Sequence, residues 1–302
     1  MDFKVSVIIP VLNGEKYIER AIESAISLDS VVEVIVIDDG STDSSLDICK
    51  RLATKYSKII VLTHKGNINK GVSASRNLGI KVIKSEFVAF LDADDFYLPN
   101  RFETEKELFS QYANFDGAYG ATKIINNLNN TDELYTYSQA VAPQQLFNAL
   151  LWENYGHFHI STLTIKKNII DSIGGFDEKM SVAEDSDFYY RIAEIANIYS
   201  GSITVPISIR NIHGDNTMIK SESKYPYFRQ YLYKKMLKHF LFSSHTTFTN
   251  KSELLLMLNH HQRIFNKVFD EKKFLWKLSI KYPFLFFCPF LYHKCLQLVK
   301  KR

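Results

Sequence analysis

The stretch Phe87-Val88-Ala89-Phe90-Leu91-Asp92-Ala93-Asp94-Asp95 decides the fold, because a short apolar run leads directly into three carboxylates. A run of this length that is bounded by a polar turn is typical of a buried strand. In open α/β sheets, ligands bind just beyond the carboxyl ends of the strands. We therefore expect these carboxylates to lie on the functional edge of a sheet.

The same arrangement repeats along the first hundred residues. Short β-branched runs predict strands at residues 5–11, 34–38, 59–63 and 87–92. Apolar residues at three- and four-residue spacing predict helices at residues 16–27, 44–56 and 72–83. Right-handed crossovers between such elements give a doubly wound sheet. Beyond residue 115 the periodicity weakens, residues 126–132 predict a polar loop, and a helix is expected to begin near Asp185.

Two further turns follow predicted strands. Asn13-Gly14-Glu15 follows the first, and Asp38-Asp39-Gly40-Ser41 follows the second. The second turn can be explained as a loop that ends in a helix cap, but consecutive carboxylates there could also accept hydrogen bonds from a base or a ribose. The first strand is not followed by the phosphate-binding pattern GxGxxG. This absence argues against a dinucleotide-dependent oxidoreductase.

Asp92 and Asp94 are separated by one residue, so together they could hold a hard divalent cation such as Mg²⁺ or Mn²⁺. The alternative is that Asp94 or Asp95 caps a helix over residues 101–112. A second acidic pair, Glu184-Asp185, offers a base for catalysis, because each carboxylate raises the pKa of its neighbour. The alternative there is that both acids favour the start of a helix through its dipole.

Composition limits the class of protein. The chain has 302 residues, of which 46% are hydrophobic and 23% charged, which fits neither a disordered chain nor a many-span membrane protein. Residues 221–302 carry 16 Lys and Arg against 4 Asp and Glu, whereas residues 1–220 have a net charge of −8. Three scattered cysteines form no CxxC pair, so we expect a reducing cytoplasm, and no stretch predicts a signal peptide or a spanning helix.

Six motifs occur in an order that resembles family 2 glycosyltransferases, over residues 5 to about 217. They are Val7-Ile8-Ile9-Pro10-Val11-Leu12-Asn13, Val36-Ile37-Asp38-Asp39-Gly40-Ser41-Thr42-Asp43, Ala74-Ser75-Arg76-Asn77-Leu78-Gly79, Phe90-Leu91-Asp92-Ala93-Asp94-Asp95, Gly174-Gly175-Phe176-Asp177-Glu178 and Ala183-Glu184-Asp185-Ser186-Asp187. The resemblance implies a GT-A fold, in which a Rossmann-like mixed sheet is flanked by helices.

The resemblance also implies roles in nucleotide-sugar binding. Asp39 would contact the uracil, Pro10, Asn13 and Glu15 would line the nucleoside pocket, and Arg76 would face the pyrophosphate. Asp92, near the ribose or the metal, its neighbour Ala93, and Glu184 would complete this set.

The resemblance further implies a catalytic base and a metal site. Asp185 would take the proton from the acceptor, and Asp94 would be the chief ligand of Mn²⁺ or Mg²⁺. His213 could complete the metal site, although a histidine at this position is equally often structural or solvated. Lys70, in a loop beside the nucleotide, could contact a phosphate.

These residues predict an inverting, metal-dependent hexosyltransferase. It would move a sugar from a nucleotide diphosphate donor, most simply a UDP-sugar, to a glycan or lipid-linked saccharide in the synthesis of a surface polysaccharide. Two alternatives remain open at this point. A sugar nucleotidyltransferase should show a Gly-rich basic loop after the first strand, and a non-catalytic sugar-nucleotide-binding module should bind donor without turnover.

We place a domain boundary near Lys220, between a GT-A domain at residues 1–220 and a basic, aromatic-rich helical extension at residues 221–302. Basic residues interleaved with aromatic residues favour contact with an anionic membrane surface. This would hold the protein peripherally on the inner face of the cytoplasmic membrane. The alternative is that the aromatic residues form a small helical bundle or an oligomer contact. Nothing in the sequence indicates a nucleic-acid partner.

Overall fold

The computed structural model describes residues 2–153, 155–214, 216 and 222–260. The strands in these ranges are β1 (Val5–Val11), β2 (Val31–Asp38), β3 (Ile59–Thr63), β4 (Phe87–Phe90), β5 (Phe96–Tyr97), β6 (Gly117–Tyr119), β7 (Ala121–Asn126), β8 (Thr131–Tyr135), β9 (Thr164–Lys166), β10 (Ile198–Ser200) and β11 (Pro206–Ile212). The helices are α1 (Ile18–Ile26), α2 (Ser45–Lys55), α3 (Val72–Val82), α4 (Glu103–Gln111), α5 (Leu146–Trp152), α6 (Lys167–Ile173), α7 (Glu184–Ile195), α8 (Tyr225–Phe242) and α9 (Phe248–His260).

The main sheet has seven strands in the order β10-β6-β9-β4-β1-β2-β3. Strands β1 to β4 are parallel, whereas β9 runs antiparallel to both of its neighbours, β4 and β6. The sequence predicted β1 and β3 with their observed bounds. Strand β2 begins three residues earlier than predicted, because the buried Glu33 that interrupts its apolar pattern accepts hydrogen bonds from Ser6 Oγ and Lys84 N at 2.6 and 2.7 Å.

Gly79 allows α3 to pack closely against the sheet. A Cβ at this position would lie 2.7 Å from Ile8 Cγ2 and 3.0 Å from Ile37 Cδ1, on β1 and β2 respectively. These contacts are too short for an unstrained side chain, so the close approach requires glycine. Arg76, one turn earlier on the same helix, is thereby held near the carboxyl edge of the sheet.

A second sheet has the order β5-β11-β7-β8. The predicted polar loop at residues 126–132 is the tip of a hairpin in this sheet, since Asn126 of β7 pairs with Thr131 of β8. The sequence missed this hairpin because β8 is exposed along most of its length and shows no apolar alternation. Strand β11 pairs with both β5 and β7, and its end lies beside the turn that follows β4.

Residues Met1–Glu253 form one compact unit, and Leu254–Arg302 form a second, of which only residues 254–260 are described. The first unit includes α8, whose buried Phe240 packs edge-on against Phe147 of α5 at a centroid distance of 4.9 Å. The predicted boundary near Lys220 lies outside the described residues. Among the helices that the structure describes, none combines the length and apolar character needed to cross a membrane.

Candidate active site

Loops that follow three parallel strands meet at one edge of the main sheet. Strand β1 lies between β2 and β4, with Val11 paired to Asp38 and Ile8 paired to Phe90. The carboxyl ends of these strands therefore lie side by side. The turns at residues 12–15, 39–44 and 91–95, which the sequence singled out, form a single surface.

The first two turns are braced by hydrogen bonds between them. Asn13, whose φ of 52° is in the left-handed region, accepts a bond from Thr42 N at 2.8 Å. The Glu15 carboxylate accepts from Ser44 N at 3.0 Å, and Asp43 accepts from Glu15 N at 3.0 Å. Asn13 and Glu15 thus hold the loop that follows β2 against β1. Their contact with a nucleoside, like that of the buried Pro10 in β1, stays a prediction.

Asp39 is buried at the centre of this surface. Its carboxylate accepts hydrogen bonds from Lys70 N and Gly71 N at 2.7 and 2.8 Å, and its Oδ1 lies 3.4 Å from Nε2 of the buried His64. Each carboxylate oxygen can accept more than one hydrogen bond, so Asp39 retains the capacity to accept one from a base. The loop at residues 64–71 therefore fixes the residue that the sequence assigned to uracil recognition. The Lys70 side chain itself is exposed.

Arg76 is buried between two carboxylates that are far apart in the sequence. Its Nη2 donates to Asp92 Oδ1 at 2.7 Å, and its Nη1 donates to Glu184 Oε1 at 2.9 Å. Burial alone would raise the pKa of Asp92, but the charge and hydrogen bond of Arg76, with smaller contributions from other nearby groups, hold that pKa below its ordinary value. The arginine that the sequence assigned to the pyrophosphate thus also joins the two acidic motifs. Its Nε is buried and has no hydrogen-bond partner among the described residues.

The turn after β4 brings Asp94 and His213 together. Asp94 Oδ2 lies 3.2 Å from His213 Nε2 and accepts a hydrogen bond from Asn216 Nδ2 at 2.8 Å. The His213 ring stacks on Tyr17 with a centroid distance of 4.6 Å. Burial, reinforced by the charge of Asp92, raises the pKa of Asp94. The predicted metal-binding pair is therefore adjacent, while its role as a ligand set stays a prediction.

A histidine that the sequence did not single out lies at the same turn. His159 has Nε2 3.9 Å from Asp92 Oδ2 and Nδ1 3.8 Å from Asp95 Oδ2. Asp92, Asp95 and His159 place one potential ligand atom each within 4.8 Å of one another. Burial and the charge of Arg210 lower the pKa of His159 to about 4, so the imidazole is neutral at physiological pH. His159 lies in none of the six motifs, so only the fold could identify it.

Asp95 does not cap a helix, which corrects the alternative left open for this turn. Helix α4 begins after Phe102, and no side chain caps its amino end. Asp95 is instead buried, and it accepts hydrogen bonds from Asn211 N at 3.1 Å and Ser161 Oγ at 3.3 Å. Burial and the charges of Asp94 and Asp92 raise its pKa well above the ordinary value.

Glu184 and Asp185 occupy the first turn of α7. A helix dipole favours acidic side chains at this place, so the position fits both interpretations of the pair. Ala183, immediately before them, has a φ of 60°, a left-handed conformation that is strained for a residue with a Cβ. Burial and the neighbouring Asp185 charge raise the pKa of Glu184. Asp185 accepts a hydrogen bond from Ser186 N at 2.7 Å. Through Arg76, this turn is joined to the carboxylates that follow β4.

Comparison with known families identifies this arrangement. The model of "Glycosyl transferase family 2" matches residues 6–176, which is more than half of the chain. An uncharacterized glycosyltransferase of Rickettsia typhi is 27% identical over 237 residues, which cover 78% of this chain and 73% of that protein.

Two relatives with more specific names align over a smaller part of their length. They are chondroitin synthase of Escherichia coli, 28% identical over 72% of this chain, and poly(ribitol-phosphate) beta-glucosyltransferase of Bacillus spizizenii, 30% identical over 63%. The chain spans only 30% and 32% of these two proteins.

The crystal structure of Staphylococcus aureus TarS 1-349 in complex with UDP-GlcNAc superposes with a TM-score of 0.68 at 22% identity. The match covers 85% of this chain and 72% of that one. The similarity confirms the expected GT-A fold, a mixed sheet flanked by helices.

We predict that Arg76→Met lowers the free energy of unfolding by about 3 kcal/mol, because it leaves two largely buried carboxylates without their shared cation. Denaturation in urea measures this value. Arg51→Met is the matched control, since Arg51 bonds Glu19 at a similar 2.8 Å but on the exposed surface. Its effect should stay below about 1 kcal/mol. Equal losses in the two variants would contradict the structural role given to Arg76.

Proposed function

The chain belongs to glycosyltransferase family 2, and from this premise we propose that it transfers a sugar from a UDP-sugar to a hydroxyl of a glycan or lipid-linked saccharide. The observation that carries the proposal is the bridge made by Arg76. It holds the carboxylate Asp92 and the acidic pair Glu184-Asp185 on one surface with Asp39. A nucleotide, a diphosphate and a reacting hydroxyl each have a suitable residue on this surface.

The reaction we propose is a single displacement with inversion at the anomeric carbon. The Asp185 carboxylate accepts the proton of the acceptor hydroxyl, and the acceptor oxygen forms a bond to the anomeric carbon as the bond from that carbon to the diphosphate breaks. UDP is the leaving group, and the proton remains on Asp185 until it passes to solvent. A base that is held in position contributes roughly 10² to 10⁴ to the rate of such a step.

Arg76 holds the two acids that lie beside Asp185 in fixed positions. It lowers the pKa of Asp92 and is hydrogen-bonded to Glu184, so both side chains are held in place beside the base. Asp185, by contrast, bonds only to its neighbour Ser186 among the contacts described for it, so its carboxylate is available to the acceptor hydroxyl. Positioning of this kind supplies much of the rate enhancement in transfer reactions.

The turn after β4 fits a divalent cation. Carboxylates and a neutral imidazole are the ligands that Mn²⁺ accepts, and Mg²⁺ prefers the carboxylates alone. Asp94 and His213 would hold the ion, with Asp92 beside them. When bound, such an ion would supply positive charge toward the diphosphate oxygens.

The acceptor class is proposed from the relatives. The names of two relatives specify chondroitin and poly(ribitol-phosphate), and the TarS structure contains UDP-GlcNAc. We infer that this chain uses a UDP-linked hexose or hexosamine and acts in polysaccharide synthesis. Slow hydrolysis of a panel of UDP-sugars, which requires no acceptor, would identify the donor.

We predict that Asp185→Asn reduces transfer by about 10² to 10⁴, because the amide cannot accept the acceptor proton. Binding of UDP, measured by calorimetry, should remain close to that of the parent. Asp171→Asn, on the exposed face of α6, is the control and should leave the rate unchanged. Transfer by Asp185→Asn within a few fold of the parent would rule out Asp185 as the base.

Chelation with EDTA is expected to abolish turnover, and added Mn²⁺ or Mg²⁺ should restore it, because the diphosphate would otherwise depart without charge compensation. Asp94→Ala should remain inactive at any metal concentration, since it removes a ligand itself. Asp171→Ala serves as the control and should respond to metal as the parent does. Full activity in EDTA would show that the turn after β4 works without a metal.

We also propose peripheral attachment to an anionic membrane. Lys224, just before α8, and Tyr227 and Lys238 within it are exposed, and the Tyr227 side chain is 67% exposed, whereas Leu232, Met236 and Phe240 are buried. Each basic residue near an anionic bilayer contributes about 1 kcal/mol to binding. The strongly basic and aromatic residues after position 260 support the same proposal by composition alone.

Sedimentation with phosphatidylserine vesicles tests the membrane proposal. The protein should pellet at low salt and be released at high salt, because the attraction is electrostatic. Lys224→Glu combined with Lys238→Glu should weaken the binding, whereas Lys106→Glu on the exposed face of α4 should not. A protein that stays in the supernatant at low salt would favour the alternative, an oligomer contact or a helical bundle.

A further inference from the structure

We propose that Lys235, in the helical region that follows the predicted GT-A domain, is a positioning residue for Asp185. The inference rests on the transfer reaction proposed above. It assigns a role to Asp177 of the Gly174-Gly175-Phe176-Asp177-Glu178 motif, for which neither the sequence nor the mechanism has so far provided one. It also extends the catalytic machinery beyond residue 220.

A single ammonium group joins the two ends of the segment that carries the base. Lys235 Nζ lies 2.9 Å from Asp177 Oδ2 and 2.8 Å from Asp187 Oδ2. Asp177 precedes Glu184-Asp185 by seven and eight residues, and Asp187 follows Asp185 by two. The segment is therefore closed into a loop by a contact from a different helix, α8.

Asp177 and Asp187 are each held by a further side chain, and these two side chains belong to different helices. Asp187 is buried and accepts from Arg191 Nε and Nη2 at 2.9 and 2.7 Å, and Arg191 also donates to the carbonyl oxygens of Gly174 and Gly175. This network ties α7 to the end of α6. Asp177 instead accepts from Tyr231 Oη at 3.2 Å, a second contact from α8. Lys235 is the group that connects these two anchors.

The segment needs such a connection. Ala183, directly before Glu184, has a φ of 60°, and left-handed backbone at a residue with a Cβ persists only where surrounding contacts hold it. Burial would raise the pKa of Asp177, but the bond and charge of Lys235, together with the bonds from Lys179 N and Tyr231, keep this pKa below its ordinary value. Asp177 is thus ionised and paired with the ammonium at neutral pH.

Lys234, which directly precedes Lys235, differs from it in exposure and in contacts. Lys234 is exposed, whereas the Lys235 side chain is only 29% exposed and is held between two carboxylates. An exposed lysine on a helix is ordinarily solvated, and its loss changes little. Loss of Lys235 would instead free the strained segment, and a shift of about 1 Å in a catalytic group can lower a rate by about 10²-fold.

The test compares three variants of the full-length chain in the hydrolysis or transfer assay: Lys235→Met, Lys235→Arg and Lys234→Met. We expect Lys235→Met to lower kcat by about 10- to 100-fold while the KM for the UDP-sugar changes less than about twofold, because donor contacts lie elsewhere. Lys235→Arg should recover most of the rate, since a guanidinium can bond both carboxylates. Lys234→Met should match the parent.

Hydrogen exchange at the amides of residues 178–186 gives a second readout that requires no turnover. Exchange there should accelerate in Lys235→Met and stay unchanged in Lys234→Met, while the sheet remains protected. If Lys235→Met does not fold, Asp177→Asn releases the same end of the segment and should show the same loss in kcat and the same local exchange.

Parallel assays of the parent and Asp185→Asn separate the two proposals. An inactive parent, or an active Asp185→Asn, would refute the proposed function, and the exchange experiment would still decide whether Lys235 holds the segment. A Lys235→Met variant with kcat within about threefold of an active parent would overturn this inference alone. A loss in a folded Lys235→Met that Lys235→Arg fails to rescue, with no local change in hydrogen exchange, would overturn it as well.

Discussion

The buried guanidinium of Arg76 is the interaction on which the rest of the site depends. Asp92 and Glu184 belong to motifs about ninety residues apart, and both are partly buried, so bringing their charges together without a cation between them would be costly. Arginine suits this place because its planar group donates to two carboxylates at once and stays ionised when buried. The close packing of α3 at Gly79 delivers the guanidinium to the sheet edge. Helix α3 thus both packs against the sheet and carries the arginine of the candidate site.

The site is acidic because several carboxylates gather around the buried Arg76. Carboxylates after β2, after β4 and at the start of α7 converge on a surface where Arg76 and Arg210 supply the counter-charge. A site of this kind suits a diphosphate that arrives with a divalent cation. It differs from a phosphate-binding loop, where glycine backbone amides and a lysine do the binding.

Sequence reasoning predicted the elements that carry strong periodicity. Strands β1 to β4 and helices α1 to α3 were predicted because buried parallel strands and amphipathic helices leave regular apolar patterns. Strands β6, β9 and β10 have three residues each and were missed, since so short a run carries no period. Asp39, Arg76, Asp94 and Asp185 stood out because they follow strand ends or lie in motifs. His159, Asp95 and Lys235 acquire their surroundings only from tertiary contacts between distant segments, which no local pattern encodes.

In the proposed reaction, a base in the first turn of α7 and a diphosphate held at the turn after β4 act on opposite faces of one sugar. The most direct measurement is the anomeric configuration of the product, determined by NMR from the coupling of the newly formed glycosidic centre. With an α-linked UDP-sugar as donor, we expect a β-glycoside, because the acceptor oxygen attacks from the face opposite the leaving group. A product that keeps the α configuration of the donor would contradict it.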